Sequence, residues 1–534
     1  MTEGNAKVIK SGDSPIEMSR DESPVTVTAI FDIGKTNKKF MLFDQEFRVV
    51  FRQIITLEPA VDDDGDPCED LDRLTDWIHQ MLDKISRDHR FNIRHLNFAT
   101  YGATLVHLNQ QGEVLSPVYD YNKDFPEELM RELYDRHGGE EVLSLETSSP
   151  PMGMLNSGLQ LYWLKRQKPD IYRRIHRSLH FPQYLSYLFT GRMISELTSI
   201  GCHTAMWDFR DQNYHKWLNQ EGLAGLLPDP VPAHETVPVQ LSEHTMMTGP
   251  GIHDSSAALV PYLKSLDERF LLVSTGTWSI TLNPFSSDEL TFDELQRDCL
   301  CYLNIYGEQV KSARLHLGGE YDLQMERIRN FFQKDSETYS TDGETLTGVT
   351  DEEINSTGRE RADESNSKSQ IDIQPDLYHV QNLLKRPDAG RGLRPALASR
   401  SGPCPSDHTE PWDLSQFGSK EEAASQLILD LVCLQEISVK LVQGSSDIDS
   451  LLLTGGFANN NLFLTLLASR LPELKVYTTA LSEATALGAA LVLHPESTDK
   501  VSGDLDLKLH EAEYIKGLDN YRWNPASNYS RTTL

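Results

Sequence analysis

A chain of 534 residues is too long for one ordinary domain and fits two main lobes, each large enough for its own core. The formal net charge of −30 argues against a nucleic-acid-binding surface, which relies on clustered Lys and Arg, although it leaves room for a local basic pocket around one nucleotide. The six cysteines form no CxxC or Cys/His array and read as free thiols of a reducing cytoplasm, and no run of about 18 apolar residues suggests a membrane span.

Residues 1–24 are polar, lack the apolar core of a secretory signal, and read as a disordered leader. The first lobe is expected over residues 25–249. It opens with Val25, Val27, Ala29 and Phe31 alternating with Thr26, Thr28, Ile30 and Asp32, turns at Asp32-Ile-Gly-Lys-Thr-Asn37, and resumes an apolar run at Phe40 to Phe43. That is a β-hairpin. A glycine at its tip lets backbone N–H groups approach a phosphate, and an Asp beside it can hold Mg²⁺ directly or through water. Gly34, Lys35 and Thr36 are therefore candidate phosphate contacts and Asp32 a candidate metal ligand, although Asp-x-Gly is also ordinary hairpin chemistry.

Helical spacing follows at residues 71–85, through Leu74, Trp77, Ile78, Met81, Leu82 and Ile85, and then a strand at 93–99, so the lobe is α/β. The loop at 100–107 lies just past that strand, where α/β sheets usually place ligands. Helices are expected around 127–136 and 158–167, with a short one from Phe181 closed by Gly191. Polar loops here suit a polyol. Gly102, Ala103, His107, Asp120 and His203 are the candidate substrate contacts, each with the plainer alternative of a turn-forming or solvated residue.

The second lobe is expected over 250–497. Gly251-Ile-His-Asp254-Ser-Ser-Ala-Ala reads as a tight turn entering a helix, with Asp254 the candidate catalytic base and a second candidate metal ligand. An Asp at a helix start is also a common structural cap. Residues 270–282 form a second strand–turn–strand unit around Ser274-Thr-Gly-Thr-Trp278, whose Thr275, Gly276 and Thr277 can offer N–H and hydroxyl donors to a phosphate without adding charge. Its likeness in form to the Asp32 hairpin suggests internal duplication.

Residues 333–374, rich in Asp, Glu, Ser and Thr, read as an acidic solvated insertion. An amphipathic helix spans 424–441, and a buried strand at 448–454 runs into Gly455-Gly456-Phe-Ala-Asn459-Asn460 and another helix. Strand, paired glycines and a polar helix start let a nucleotide lie against bare backbone. This is neither a P-loop nor a G-x-G-x-x-G turn. The small-residue helix at 482–493 suits close packing between lobes, and residues 498–534 are a tail.

Together Asp32-Ile-Gly-Lys-Thr, Gly251-Ile-His-Asp254, Ser274-Thr-Gly-Thr-Trp278, and Thr454-Gly-Gly-Phe-Ala-Asn-Asn460 with Glu483-Ala-Thr-Ala-Leu-Gly-Ala-Ala490 resemble, in this order, the FGGY family of carbohydrate kinases. The resemblance runs from about 25 to 493. It implies an α/β architecture: a duplicated actin-like ATPase (ribonuclease H-like) fold of two lobes, with sugar and ATP meeting in the interlobe cleft. It further implies that Asp254 takes the proton of the sugar hydroxyl, Asp32 lies on the Mg²⁺ side, Gly276 and Thr277 face the γ-phosphate, and Gly455, Gly456, Asn459 and Asn460 lie along the nucleotide. Three departures stand out: Lys35 replaces a small hydroxyl residue, Tyr119-Asp120-Tyr121-Asn122 replaces an aromatic-Asp-Arg pattern, and the acidic segment is inserted. The Ser-Thr-Gly-Thr-Trp-Ser turn is most similar to that of kinases for deoxyketohexoses such as rhamnulose and fuculose. The expectation is a cytoplasmic sugar kinase using ATP and Mg²⁺, with no nucleic-acid or membrane partner and a homodimer left open. A silent sugar-binding regulator on the same fold and an actin-like assembly or chaperone ATPase are the competing readings.

Overall fold

Two sheets built on one plan carry the chain. The structure, a computed structural model, describes residues 8–9, 23–241, 244–338, 375–383, 414–481, 483–494, 505 and 507–515. In the first lobe, β1 (Val8–Ile9), β2 (Val25–Ile33), β3 (Asn37–Phe43) and β4 (Val49–Thr56) precede α1 (Leu71–Ser86) and β5 (Phe91–Thr100). From Val27 onward every residue of β2 is buried, as a central strand covered on both faces requires. The carboxylate of Asp70 caps α1 by accepting from the Arg73 N–H, and the apolar stripe read from the sequence faces the sheet.

A long excursion follows, including α2 (Ser157–Gln167) and α3 (Phe181–Thr190), which Gly191 ends in the left-handed conformation at φ 64°. The sheet is completed by β6 (Val237–Leu241), β7 (His244–Thr248) and β8 (Ile252–His253), and α4 (Asp254–Ser265) leaves it. Strand order is β1-β4-β3-β2-β5-β7-β6, with β8 also on β5. Two sequence expectations shift here. Val8–Ile9 pairs with Ile54 and Ile55 of β4, so this part of the leader is a strand, the other residues before 23 lying outside the described ones. The first sheet also continues past 249, because Ile252 and His253 pair with Ala99 and Thr100.

The second sheet is made of β9 (Phe270–Thr275), β10 (Ser279–Asn283), β11 (Cys299–Leu303) and β12 (Gln309–Leu315), then, after α5 (Leu317–Thr338) and α6 (Lys420–Gln443), β13 (Ser450–Gly455). After α7 (Asn461–Arg470), β14 (Lys475–Thr479), α8 (Ala484–Leu491) and β15 (Leu509–Glu511) complete the order β11-β12-β10-β9-β13-β14-β15. In each lobe the first long strand runs antiparallel to its hairpin partner and parallel to the strand after the next long helix: β2 with β3 and β5, β9 with β10 and β13. That shared pairing is the duplication expected from the two hairpins. Of the acidic insertion, 333–338 continue α5 and 339–374 lie outside the described residues.

The lobes meet through α4 and α8. A Cβ on Gly488 would stand 1.8 Å from the Ala257 carbonyl oxygen, so only glycine permits this crossing. Ala486, Ala489 and Ala490 pack with Ile30, Met41 and Ala99 of the first lobe, while Leu259 and Tyr262 of α4 pack with Phe270 and Leu272 of the second. Asn97 locks the junction, donating to the Ala489 carbonyl at 3.0 Å and accepting from the Gly251 N–H at 3.0 Å. The five described cysteines are unpaired and buried, and no described helix is long and apolar enough to cross a membrane.

Candidate active site

Asp254 opens α4 without capping it. The N-cap is His253, and no side chain closes the first turn. The Asp254 carboxylate instead accepts from Ser255 Oγ at 3.1 Å and lies 3.3 Å from His253 Nε2, with 30% of the side chain exposed. Burial pushes its pKa up to about 6, against the opposing hydrogen bond from Ser255. The turn before it is forced by packing: Gly251 has φ +80°, and a Cβ there would lie 2.4 Å from the Pro182 carbonyl oxygen. His253 is fixed from three sides, its N–H donating to Thr198 Oγ1 at 3.0 Å, its Nδ1 3.3 Å from Ser256 Oγ, and its ring beside Tyr302.

Asp32 lies near the end of β2, directly across from Lys39 of β3. Lys39 Nζ bridges Asp32 Oδ2 at 3.3 Å and Glu483 Oε2 at 3.2 Å, and Arg52 holds the other Glu483 oxygen at 3.1 Å. Burial raises the Asp32 pKa to about 6; Lys39 opposes the shift, and the charges of Asp254 and Glu483 add to it. The site thus contains two carboxylates whose ionisation is held back by burial, one of them also by the charge of the other. Mg²⁺ is ordinarily bound through one or two carboxylates plus substrate phosphates, so Asp32 and Asp254 form a donor set that fits it. The tightest acidic cluster of the described residues, Asp62, Asp63 and Asp64, is instead closed by Lys123 and Lys168.

Beneath the first tip, the fully buried Lys38 donates to the Gly34 and Lys35 carbonyls at 3.0 Å each and pairs with Glu69 at 3.0 Å, which also accepts from the Tyr101 hydroxyl. The second tip is held by neutral groups. Thr275 Oγ1 donates to the Thr454 carbonyl at 2.6 Å and accepts from the Phe457 N–H at 3.1 Å, so this hydroxyl stitches the turn to the Gly455–Gly456 loop rather than standing free for a phosphate. Gly455 has φ +88°, and a Cβ there would fall 1.8 Å from the Thr275 carbonyl oxygen. Gly276, Thr277, Gly455 and Gly456 are exposed, and nothing lies within 4 Å of a Cβ on Gly456, leaving bare backbone along which a nucleotide fits. Asn460 caps α7 by accepting from the Phe463 N–H, so its side chain is likewise committed; Asn459 beside it is exposed.

On the sugar side, the loop after β5 is strained: Ala103 sits at φ +56°, and a Cβ on Gly102 would meet Cys202 Sγ at 2.8 Å and the His253 ring at 3.0 Å. Tyr101, Gly102, Ala103, Thr104, His180, Pro182, Ser199 and His253 line a narrow crevice there. His203 joins it through the His253 and Tyr302 rings, at 6.3 and 5.9 Å between centroids. His107 does not join it. It lies on the short strand Leu105–Leu108, paired with Arg177–His180, with a buried ring bound to Ser178 Oγ at 2.9 Å, which removes it from the substrate contacts. Asp120 and Lys35 hold each other at 2.7 Å, the ammonium 5.4 and 5.1 Å from the rings of Tyr101 and Tyr121, so the Lys35 charge is already paired although its side chain is one-third exposed.

Sequence reasoning gave no site role to Lys38, Lys39, Glu69, His180 or Tyr302, and took Glu483 only as part of a motif. For Lys38 and Lys39 a signal existed: in a strand these neighbours point to opposite faces, so one of the two had to be buried or paired.

Two lobes of one plan, with an uncapped Asp at their junction and two hairpin tips, define an actin-like fold, and comparison with known proteins places it more narrowly. The model of the FGGY family of carbohydrate kinases, N-terminal domain, matches residues 27–258, and the model of the carbohydrate kinase FGGY C-terminal domain matches 267–354 and 356–500. The chain belongs to the FGGY family, with its duplicated actin-like fold. It is similar to a rhamnulokinase of Halalkalibacterium halodurans, 26% identical over 47% of this chain and 54% of that protein, and to an L-fuculokinase of Escherichia coli, 21% identical over 48% and 56%. The chain thus spans about half the length of the curated relatives it matches. A solved carbohydrate kinase from Novosphingobium aromaticivorans is similar over 93% of this chain and 98% of its own, with a TM-score of 0.70 at 26% identity.

Proposed function

We propose that this chain is an ATP- and Mg²⁺-dependent carbohydrate kinase that transfers the γ-phosphoryl group to a hydroxyl of a ketose or polyol, with a deoxyketohexose such as L-rhamnulose or L-fuculose as the favoured substrate. The observation that carries the reading is Asp254: a carboxylate at the first turn of an interlobe helix that caps nothing, stays partly exposed, and stands within electrostatic reach of Asp32. With its pKa near 6, Asp254 is ionised at neutral pH yet basic enough to accept a proton. In the proposed reaction the sugar oxygen bonds to the γ-phosphorus as the bond to the β–γ bridging oxygen breaks, and the hydroxyl proton passes to Asp254.

Such a transfer needs positioning and charge stabilisation more than covalent help. Mg²⁺ held by Asp32 and Asp254 would neutralise charge on the phosphates. The amides around Gly276 and Thr277 would face the transferred group, and Gly455 and Gly456 would offer backbone to the nucleotide. Gly102, Ala103 and His203 support a sugar site beside the base. The lean to deoxyketohexoses rests on the Ser-Thr-Gly-Thr-Trp turn and on the names of the curated relatives.

The test is coupled-assay ADP release from a panel of ketoses and polyols. Asp254→Asn is expected to lower kcat by about 10²–10⁴-fold while ATP binding survives. Silence of the folded wild type across the panel, with sugar or ATP still binding by calorimetry, would replace this reading with that of a sugar-binding regulator.

A further inference from the structure

The crevice beside Asp254 contains a buried polar atom that the fold leaves without a partner. His180, immediately before α3, is only 2% exposed and lines the crevice together with His253. Its Nε2 is 3.0 Å from Ser157 Oγ, and its Nδ1 has no hydrogen-bond partner among the described residues. The neighbouring His203 repeats the pattern, with a buried Nδ1 equally unpartnered. Burial holds His180 and His203 well below the ordinary histidine pKa, so both are neutral imidazoles.

A buried donor or acceptor left unsatisfied costs about 1–3 kcal/mol, so these two call for a ligand that satisfies them. The tautomer of His180 follows whichever way Ser157 bonds, and its Nδ1 is then a donor or an acceptor. A hydroxyl serves either case, because it both donates and accepts; a carboxylate can only accept. A carboxylate would also arrive among neutral rings without a free counter-charge. The nearby cations are spent: Arg314 on Asp298 at 3.1 Å, Lys39 on Asp32 and Glu483, Lys35 on Asp120.

We infer that His180, with His203, forms a wall of buried imidazoles that reads a hydroxyl of an uncharged polyhydroxy substrate and excludes sugar acids. This rests on the kinase reading for the identity of the pocket, and it adds the residue that discriminates and the charge class accepted. The arrangement matches the general rule that a site built to pair a hydroxyl rejects the analogue lacking it far more strongly than an apolar pocket can.

The experiment is calorimetric titration of the full chain with L-rhamnulose, L-fuculose, D-xylulose and the anionic D-gluconate. The wild type is compared with His180→Leu and His180→Asn, folding being checked by thermal melting. A neutral ketose is expected to bind wild type and to lose about tenfold in affinity in His180→Leu, with partial recovery in His180→Asn and ADP affinity within about twofold throughout. D-gluconate is expected not to bind. Should the variants not fold, ¹⁵N-histidine spectra of the wild type decide the question, because saturation with the ketose must shift the His180 Nδ1 resonance. Unchanged ketose affinity in a folded His180→Leu, an unmoved Nδ1 signal at saturation, or D-gluconate binding as tightly as the ketose each overturns the inference. Loss of turnover on every sugar with these binding results intact would remove the kinase reading alone; no binding of any sugar would remove both.

Discussion

The two hairpin tips occupy the same place in duplicated sheets and are held by opposite chemistry. The first is built on charge: Asp32 faces Lys39, Lys38 is buried against Glu69, and Lys35 reaches Asp120. The second carries no ionisable side chain from Ser274 to Ser279 and is tied by the Thr275 hydroxyl and a close glycine contact. A tip that must stand beside a cation can use carboxylates only if lysines compensate them when the metal is away, whereas a tip that must meet a phosphate gains by presenting N–H groups with no negative charge nearby. On the proposed reading one backbone plan serves two electrostatic tasks, and that division of labour can be tested by removing each tie in turn.

The largest effect is expected at the first tip. Lys38→Met leaves Glu69 buried beside one tyrosine hydroxyl, and breaking a buried pair on one side costs about 3–5 kcal/mol. Denaturant unfolding of the variant should show that loss, and a change below about 1 kcal/mol would mean that Lys38 is not paired in solution.

Next comes pH, which should act through the first lobe. Glu196 is fully buried, accepts from the Thr198 and Ser199 N–H groups, and has its pKa raised by burial to about 7 from an ordinary 4.5. At Glu196 the folded state keeps a proton that the unfolded state has released, so this group's contribution to stability falls as pH rises from about 4.5 to about 7, by about 3 kcal/mol in all, and levels off above. Asp32 and Asp254 act in the same direction up to about pH 6, while His95, His107, His180, His203 and His253, whose pKa values burial holds below the ordinary 6.5, act in the opposite direction up to about that pH. The melting temperature of Glu196→Gln measured relative to wild type is expected to rise as pH goes from about 4.5 to about 7 and to level off above, because every other group titrates alike in the two chains; a difference that does not change with pH would remove Glu196 from the pH response. The second tip should respond more mildly: Thr275→Val unpartners one carbonyl and one N–H, an expected loss of about 1–3 kcal/mol read by the same unfolding assay.

Much of this plan is legible in the amino-acid sequence. Strand alternation, helical stripes and the paired glycines follow from local periodicity and local backbone need, so the duplicated fold and the bare backbone at Gly455 and Gly456 can be read off. Ion pairs such as Lys39 with Glu483, 444 positions apart, leave no periodic trace, and neither does the pairing of Leu105–Leu108 with Arg177–His180 that buries His107. Asp254 is legible as a candidate but not as an uncapped one, because whether a first-turn Asp caps its helix depends on the backbone angles of the residue before it. His180 is inconspicuous in an apolar stretch, and only the fold shows that Ser157 has claimed one nitrogen and that the other is buried without a partner among the described residues.

The smallest effect is expected at Lys35, and it bears most directly on the contrast between the tips. Its pair with Asp120 is one-third exposed on the lysine side, so Lys35→Met should cost no more than about 1 kcal/mol, even with the two tyrosine rings beside the ammonium. The informative readout is the KM for ATP. If the ammonium is held by Asp120 as a brace for the sugar-side loop, that KM stays within about twofold, since no phosphate contact is lost. A rise of about tenfold would mean that Lys35 leaves Asp120 for the nucleotide when ATP arrives, making the first tip a phosphate site in its own right. The tips would then divide the work by sign of charge, one through a cationic side chain and one through neutral amides, rather than by ligand.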